Sequence, residues 1–265
     1  MGVTLSTLQK MRVEQQPIVA LTAYDYTFAR AVDAAGVDVV LVGDSLGNVI
    51  QGHGSTVPVT VEEMVYHCRC VSRGLTRALL MADMPFLSYP DQASAIRSAA
   101  ALMKQGGAQI VKLEGTQDQA KIVEALTMAG VPVCAHIGLQ PQLVDKLGGY
   151  KVQGRDSDGA KRIVEDARAL EAAGADLLLV ECVAAGVAER IRAAVNLPLI
   201  GIGAGVNCDG QVLVLQDVLG ITQGHVPRFS RNFMTKPGQG IADGLCAYVQ
   251  AVRARTFPRA DESFE

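Results

Sequence analysis

The chain has 265 residues, 49% of them hydrophobic and 19% charged, enough apolar material for one large core and no compositional case for disorder. A formal net charge of -3, with no basic stripe interleaved with aromatics, argues against nucleic acid or an anionic membrane as a partner. The polar stretch over 1–17 has no signal-peptide core, no apolar run is long enough to span a bilayer, and six scattered cysteines form no C-x-x-C pair, so a cytoplasmic protein with free thiols is expected.

The first apolar, β-branched run covers 18–24 and leads through Asp25 into helical spacing over 27–35, with Gly36 behind it. A second run, 38–42, ends in Gly43-Asp44-Ser45 and continues into a Gly-rich loop around His53, a candidate mobile cover, before helical spacing over 61–74. The third run, 78–82, ends in Asp83 and precedes a helix over 92–105 with Gly106-Gly107 after it. The fourth, 109–113, carries Lys112 and ends in Glu114; a helix over 116–129 and Gly130 follow. The fifth, 132–135, ends at His136, and the long connection behind it holds Gly148, Gly149, Lys151 and Arg155, a composition suited to a lid over an anionic ligand. A helix over 158–173 and Gly174 lead to the sixth run, 176–180, which ends in Glu181. After helical spacing over 187–195, the seventh run, 198–202, enters Gly203-Ala204-Gly205, which reads better as a tight turn than as a phosphate cradle. An eighth run at 211–218, a helix over 242–255 and a charged tail complete the chain. The segment 230–265 is expected to be a terminal helix plus a frayed end, packed on the barrel or on another subunit.

Eight continuous apolar runs alternating with Ala-rich helices predict a parallel sheet covered on both faces. Such a set closes most economically into a single-domain (β/α)8 barrel spanning 1–265, although an open doubly wound sheet would show the same local pattern. Cys134 and Cys182 lie inside these runs and read as small buried hydrophobes.

In barrel enzymes the functional groups come from the C-terminal ends of the strands. Here the ends are Asp25, Asp44, Asp83, Glu114, His136 and Glu181. Any one of these acids taken alone is as well explained by a helix cap or a turn. Converged on one mouth, they need a compensating cation. Oxygen ligands without a His/Cys cluster point to Mg2+, or Mn2+ in its place, with Asp44 and Asp83 nearest and Glu114 direct or through water. Lys112 and Glu114 sit two apart on one strand and project from the same face, either as a structural ion pair or as part of a site. His136 reads either as a satisfied structural histidine or as a hydrogen-bond donor to a substrate oxyanion.

Taken together, Leu21-Thr22-Ala23-Tyr24-Asp25-Tyr26, Val42-Gly43-Asp44-Ser45-Leu46-Gly47, Gln51-Gly52-His53, Val111-Lys112-Leu113-Glu114-Gly115, the stretch 148–155 and Ile200-Gly201-Ile202-Gly203-Ala204-Gly205 resemble, in order, the motifs of the ketopantoate hydroxymethyltransferase family. Asn48, where many members have an apolar residue, and the tail depart from the pattern. The resemblance implies one-carbon transfer from 5,10-methylenetetrahydrofolate to 3-methyl-2-oxobutanoate. It implies one Mg2+ per subunit at Asp44, Asp83 and Glu114, substrate contacts at Asp44, Ser45, Asp83 and Lys112, and Glu181 as proton acceptor. It also implies a large cytoplasmic homo-oligomer, often a decamer of pentameric rings. Three rivals stay open on the residues alone: a Schiff-base aldolase with Lys112 as nucleophile, a metal-dependent carbon-carbon lyase, and a metabolite-binding barrel without catalysis.

Overall fold

The computed structural model describes residues 2–265, so Met1 lies outside the described part of the 1–265 domain. Its strands are β1 (Ile18–Thr22), β2 (Val39–Val42), β3 (Leu79–Asp83), β4 (Ile110–Glu114), β5 (Val133–Gly138), β6 (Leu177–Glu181), β7 (Leu199–Ile202) and β8 (Gly210–Leu213). All pair in parallel in sequence order, and β8 returns to β1 through Ile18↔Gly210 to Leu21↔Leu213. That closing pair rules out the open doubly wound sheet and makes the chain an eight-stranded α/β barrel.

The helices are α1 (Leu5–Val13), α2 (Tyr26–Ala34), α3 (Leu46–Val49), α4 (Val61–Ser72), α5 (Gln92–Lys104), α6 (Ala120–Met128), α7 (Val144–Leu147), α8 (Ser157–Ala172), α9 (Ala185–Ala194), α10 (Leu215–Val218) and α11 (Ile241–Arg253). Residues cap them as their chemistry requires: the carboxylates of Asp25, Asp91 and Asp156 accept N–H groups at the starts of α2, α5 and α8. Gly36, Gly107, Gly130 and Gly174, which follow α2, α5, α6 and α8, all have positive φ, the left-handed exit that glycine permits.

Strand alternation divides the core in two. One face of each strand packs outward on the helices, while Ile18, Ala20, Val39, Leu41, Leu79, Met81, Ile110, Cys134, Leu177, Leu179, Ile200 and Val212 fill the barrel's interior. The residues that open alternate strands close the bottom rim. Asp38, Gln109, Asp176 and Asp209 each accept the N–H of the first or second residue of the preceding strand, at Val19, Leu80, Val133 and Leu199, over 2.9 to 3.0 Å.

The polar N-terminus, to which the sequence assigned no element, is a helix, α1, whose Leu8 and Met11 plug the bottom of the barrel, and its Arg12 pairs with Asp209 at 2.7 Å. Three expectations need correction. The run at 211–218 is not one strand: β8 stops at Leu213, Val214 turns the chain, and Leu215 to Val218 form α10, with the Leu215 N–H held by the Thr22 hydroxyl at 2.9 Å. His136 lies within β5, which runs on to Gly138, rather than beyond it. The tail is packed rather than frayed: Phe264 bridges Ala184, stacks edge-on against Phe229, and Glu262 pairs with Arg231.

Helix α11 covers the β1/β8 seam, where the Tyr248 hydroxyl donates to the Ala20 carbonyl at 2.8 Å. The six cysteines are free, with Cys134 and Cys182 buried. Among the described residues no helix is long and apolar enough to cross a membrane.

Candidate active site

Inward-facing positions continue up the strands to the C-terminal mouth, where they change from aliphatic to ionisable. On β3 the sequence Leu79, Met81, Asp83 faces inward; on β4, Ile110, Lys112, Glu114; on β5, Cys134, His136; on β6, Leu177, Leu179, Glu181. Register does the rest. Asp83 lies beside Lys112 and Glu114 beside His136 in the sheet.

The contacts follow. Lys112 Nζ is 2.9 Å from Asp83 Oδ1 and 3.2 Å from His136 Nδ1. His136 Nδ1 is 3.7 Å from Glu114 Oε1, and His136 Nε2 is 3.4 Å from Glu181 Oε2. Asp44, two residues past β2, joins through its backbone N–H, which donates to Asp83 Oδ2 at 3.1 Å. Gly43 permits that approach, since a Cβ there would stand 2.8 Å from Ser45 Oγ. Ser45 Oγ in turn shares a 2.9 Å hydrogen bond with the Tyr24 hydroxyl. The structure therefore gathers Asp44, Ser45, Asp83, Lys112, Glu114, His136 and Glu181 at one end of the barrel.

Burial sets the protonation states. Asp44 is pushed up to about 7 by burial and then by the charge of Asp83, and Glu114 is raised well above the usual range by burial and the charge of Asp44. Glu181 is pushed up to about 8, chiefly by burial, with Lys112 opposing. Burial alone would depress Lys112, but the carboxylates of Asp83, Glu114 and Asp44 outweigh it and hold the ammonium above its ordinary value. Burial and the Lys112 charge hold His136 well below the usual imidazole range, so the ring is neutral. With the ammonium donating to Nδ1, the ring proton belongs on Nε2, which lies 3.4 Å from Glu181 Oε2 without a hydrogen bond to it.

Among the described residues no three His, Cys, Asp or Glu side chains already form a coordination cluster. The carboxylates that face one another with excess negative charge are Asp44, Asp83 and Glu114, hard oxygen donors of the kind a small divalent cation takes.

Two residues that sequence reasoning passed over tie this site together. Gln142, in the turn Pro141–Leu143 after β5, donates from Nε2 to Asp44 Oδ2 at 2.8 Å. Tyr89, in the loop after β3, donates to Gln142 Oε1 at 2.7 Å. A search of strand ends for ionisable groups cannot find a neutral amide on a loop; a Pro-Gln turn directly behind an inward histidine was the only available signal. Beside them a groove of about 710 Å³ opens between the loops, lined in part by Phe86, Tyr89, Glu114, Lys121 and Gln142.

The remaining motifs sort as follows. In the stretch 148–155, Gln153 bridges to Val183 beside the end of β6, and the Tyr150 phenol is raised by burial and by the charges of Glu181, Asp44 and Glu114, so the segment flanks the mouth. His53 is exposed; its loop is fastened by Asn48, whose amide donates to the His53 carbonyl at 3.0 Å. Gly203 packs against Phe229 and Phe264, where a Cβ would meet the Phe229 ring at 2.8 Å, and Gly205 packs against Ala185. Both glycines serve close packing, Gly203 against the tail and Gly205 against the start of α9, and both have the positive φ of a tight turn.

The sequence profile of ketopantoate hydroxymethyltransferase matches residues 2–260. The chain belongs to this family. It is 62% identical to the 3-methyl-2-oxobutanoate hydroxymethyltransferase of Alkalilimnicola ehrlichii over 99% of this chain and 94% of that one. The enzyme of the same name from Marinobacter nauticus is 56% identical, with both chains covered in full. Among solved structures, a phosphoenolpyruvate phosphomutase from Streptomyces platensis subsp. rosaceus superposes with a TM-score of 0.63 at 13% identity, covering 83% of each chain. A phosphonopyruvate hydrolase solved with oxalate and Mg2+ gives 0.58 at 13% identity, covering 80% of each. At such identities these last two speak for the barrel fold alone.

Proposed function

We propose that this mouth forms an enolate of 3-methyl-2-oxobutanoate with Glu181 as the base, and that the enolate takes the one-carbon unit of 5,10-methylenetetrahydrofolate. The activity is that of the family, a hydroxymethyltransferase giving ketopantoate for pantothenate biosynthesis. The observation that carries the assignment of roles is the placement of Glu181. It is the inward carboxyl at the β6 end, its side chain 14% exposed, pushed up to about 8, with the neutral His136 beside it at 3.4 Å. A base near neutrality, held apart from the other acids, suits removal of a weakly acidic C–H proton.

Asp44 and Asp83, with Glu114 in support, would hold Mg2+. Bound there, the ion would draw the keto and carboxylate oxygens of a 2-oxo acid and supply positive charge to the oxygen that becomes negative. Lys112 adds a second, fixed positive charge on the same side, and the Ser45 hydroxyl, oriented by Tyr24, donates toward the substrate carboxylate. Glu181 takes the C3 proton, the C–H pair moves toward the keto group, and C3 then bonds to the folate methylene carbon. Breaking that carbon's bonds to nitrogen, with water supplying the hydroxyl, releases tetrahydrofolate and ketopantoate.

The Schiff-base alternative is disfavoured by the electrostatics of Lys112, whose ammonium is held protonated against Asp83 at 2.9 Å and so lacks the lone pair that attack requires. A cytoplasmic homo-oligomer, a decamer in the family pattern, completes the proposal; exposed Leu87, Tyr66 and Met128 supply apolar surface for subunit contacts. The test is exchange of the substrate's C3 proton into heavy water with and without Mg2+, repeated with tetrahydrofolate and formaldehyde. Mg2+-dependent exchange and ketopantoate formation are expected. Exchange indifferent to chelator would overturn the metal reading.

A further inference from the structure

We infer that Gln142 and Tyr89 form a positioning pair that fixes the Asp44 and Glu114 carboxylates for the divalent cation. The inference rests on the metal reading above.

Gln142 is 4% exposed and every polar group of its side chain is used. Its two Nε2 protons go to Asp44 Oδ2 at 2.8 Å and to the Met84 carbonyl at 3.0 Å. Its Oε1 accepts from the Tyr89 hydroxyl at 2.7 Å. Two acceptors on one side and a donor on the other leave a single orientation for the amide. The Tyr89 oxygen accepts in turn from the Glu114 backbone N–H at 3.3 Å, and the backbone N–H of Gln142 donates to Glu114 Oε2 at 3.0 Å. The result is a closed ring of hydrogen bonds from β4 through Tyr89 and Gln142 back to β4, with a spur to Asp44.

The backbone is shaped for this. Gly138 leaves β5 at φ +88°, in a space where a Cβ would stand 2.3 Å from the Glu181 carbonyl. The Leu139 N–H caps that same carbonyl at 2.8 Å, and Pro141 opens the turn that swings Gln142 over the barrel mouth. One oxygen of each acid, Asp44 Oδ2 and Glu114 Oε2, is thereby engaged by Gln142, which fixes the two carboxylates relative to one another. Neutral donors do this without cancelling the charge a cation needs. Partners of this kind are worth on the order of 10- to 100-fold in metal affinity.

The experiment is Mn2+ binding followed by electron paramagnetic resonance, on the full chain, for wild type, Gln142→Leu and Tyr89→Phe, with thermal unfolding of each metal-free protein alongside. Gln142→Leu keeps the bulk and the backbone N–H to Glu114 but loses the side-chain bonds to Asp44, Met84 and Tyr89, so Mn2+ should bind roughly 10- to 100-fold more weakly while the metal-free melting profile keeps its cooperativity. Tyr89→Phe removes the donor to Oε1 and the acceptor for the Glu114 N–H and should weaken binding several-fold, with KM for the oxo acid rising more than kcat falls. Wild-type affinity in both variants would overturn the positioning role. No Mn2+ binding by wild type would instead sink the metal reading itself. If Gln142→Leu fails to fold, Tyr89→Phe decides the matter alone.

Discussion

Replacing Glu181 by Gln is the sharpest test of the division of labour at the barrel mouth. Gln is isosteric, and the fold has little invested in the charge: the carboxyl is pushed up to about 8 and the neutral imidazole of His136 lies 3.4 Å away. The variant should therefore fold and bind oxo acid as wild type does. What it loses is the base. In the wild-type protein a carboxyl titrating near 8 is ionised to roughly a tenth at pH 7, so C3-proton exchange should rise about tenfold per pH unit below 8 and level off above it. Removing that group should slow exchange by on the order of 100-fold or more, about 2.7 kcal/mol of barrier, and should abolish the pH-dependent rise. The assay is deuterium incorporation at C3, followed by proton resonance from pH 6 to 9 on both proteins. An unchanged rate in Glu181→Gln, or a rise near pH 8 that persists without the carboxyl, would refute the argument and return the base to another group.

Three other substitutions probe the frame. Gly138→Ala puts a Cβ 2.3 Å from the Glu181 carbonyl at a positive φ; it should cost about 1–3 kcal/mol in urea unfolding and depress exchange as well, because the carbonyl it pushes belongs to the base's own residue. Lys112→Met removes the ammonium from beside Asp83 and should cost ~3–5 kcal/mol near neutral pH. The deficit should shrink as pH falls, since protonating Asp44 and Glu114 discharges the acids that have lost their cation, and denaturation at pH 5 and pH 8 reads the difference. Leu8→Ala opens the plug at the bottom of the barrel, where Leu8 is fully buried; a loss of about 2–5 kcal/mol is expected, and less than 1 kcal/mol would mean that α1 is not part of the core.

The strands were legible because nearly every strand residue is buried on one face or the other, so β2, β3, β4, β6 and β7 read as continuous apolar runs to within a residue of their ends, while the first run overshot β1 by two residues and the fifth stopped three short of the end of β5. The same property defeated the reading at β8. Leu215 to Val218 are also buried, and an unbroken apolar run does not reveal where the backbone changes from extended to helical. Helix α1 was hidden for the opposite reason: among its nine residues only Leu8 and Met11 are buried, too few to set a period in a polar segment. At the site, Asp83, Lys112, Glu114 and Glu181 were legible since strand alternation alone dictates which way they point. Gln142 and Tyr89 were not, because loops bring them in from outside the sheet and neither carries a charge to advertise itself.

Acidic residues sit at both rims of this barrel, and what separates their roles is the company each rim provides. At the bottom, Asp38 is met by Arg77 and Arg253, and Asp209 by Arg12 and Arg192, while each also accepts a strand N–H. Each of these buried carboxylates has two guanidinium partners, and nothing is left over to bind a ligand. At the mouth, Asp44, Asp83 and Glu114 share the ammonium of Lys112, and burial with mutual repulsion raises Asp44 and Glu114 toward protonation. A structural role would not require leaving acids in that state, because one more arginine would relieve it. An unbalanced acidic rim is stable only in an occupied or protonated form, so the deficit of positive charge at the mouth supports the proposal of a cation at this end of the barrel.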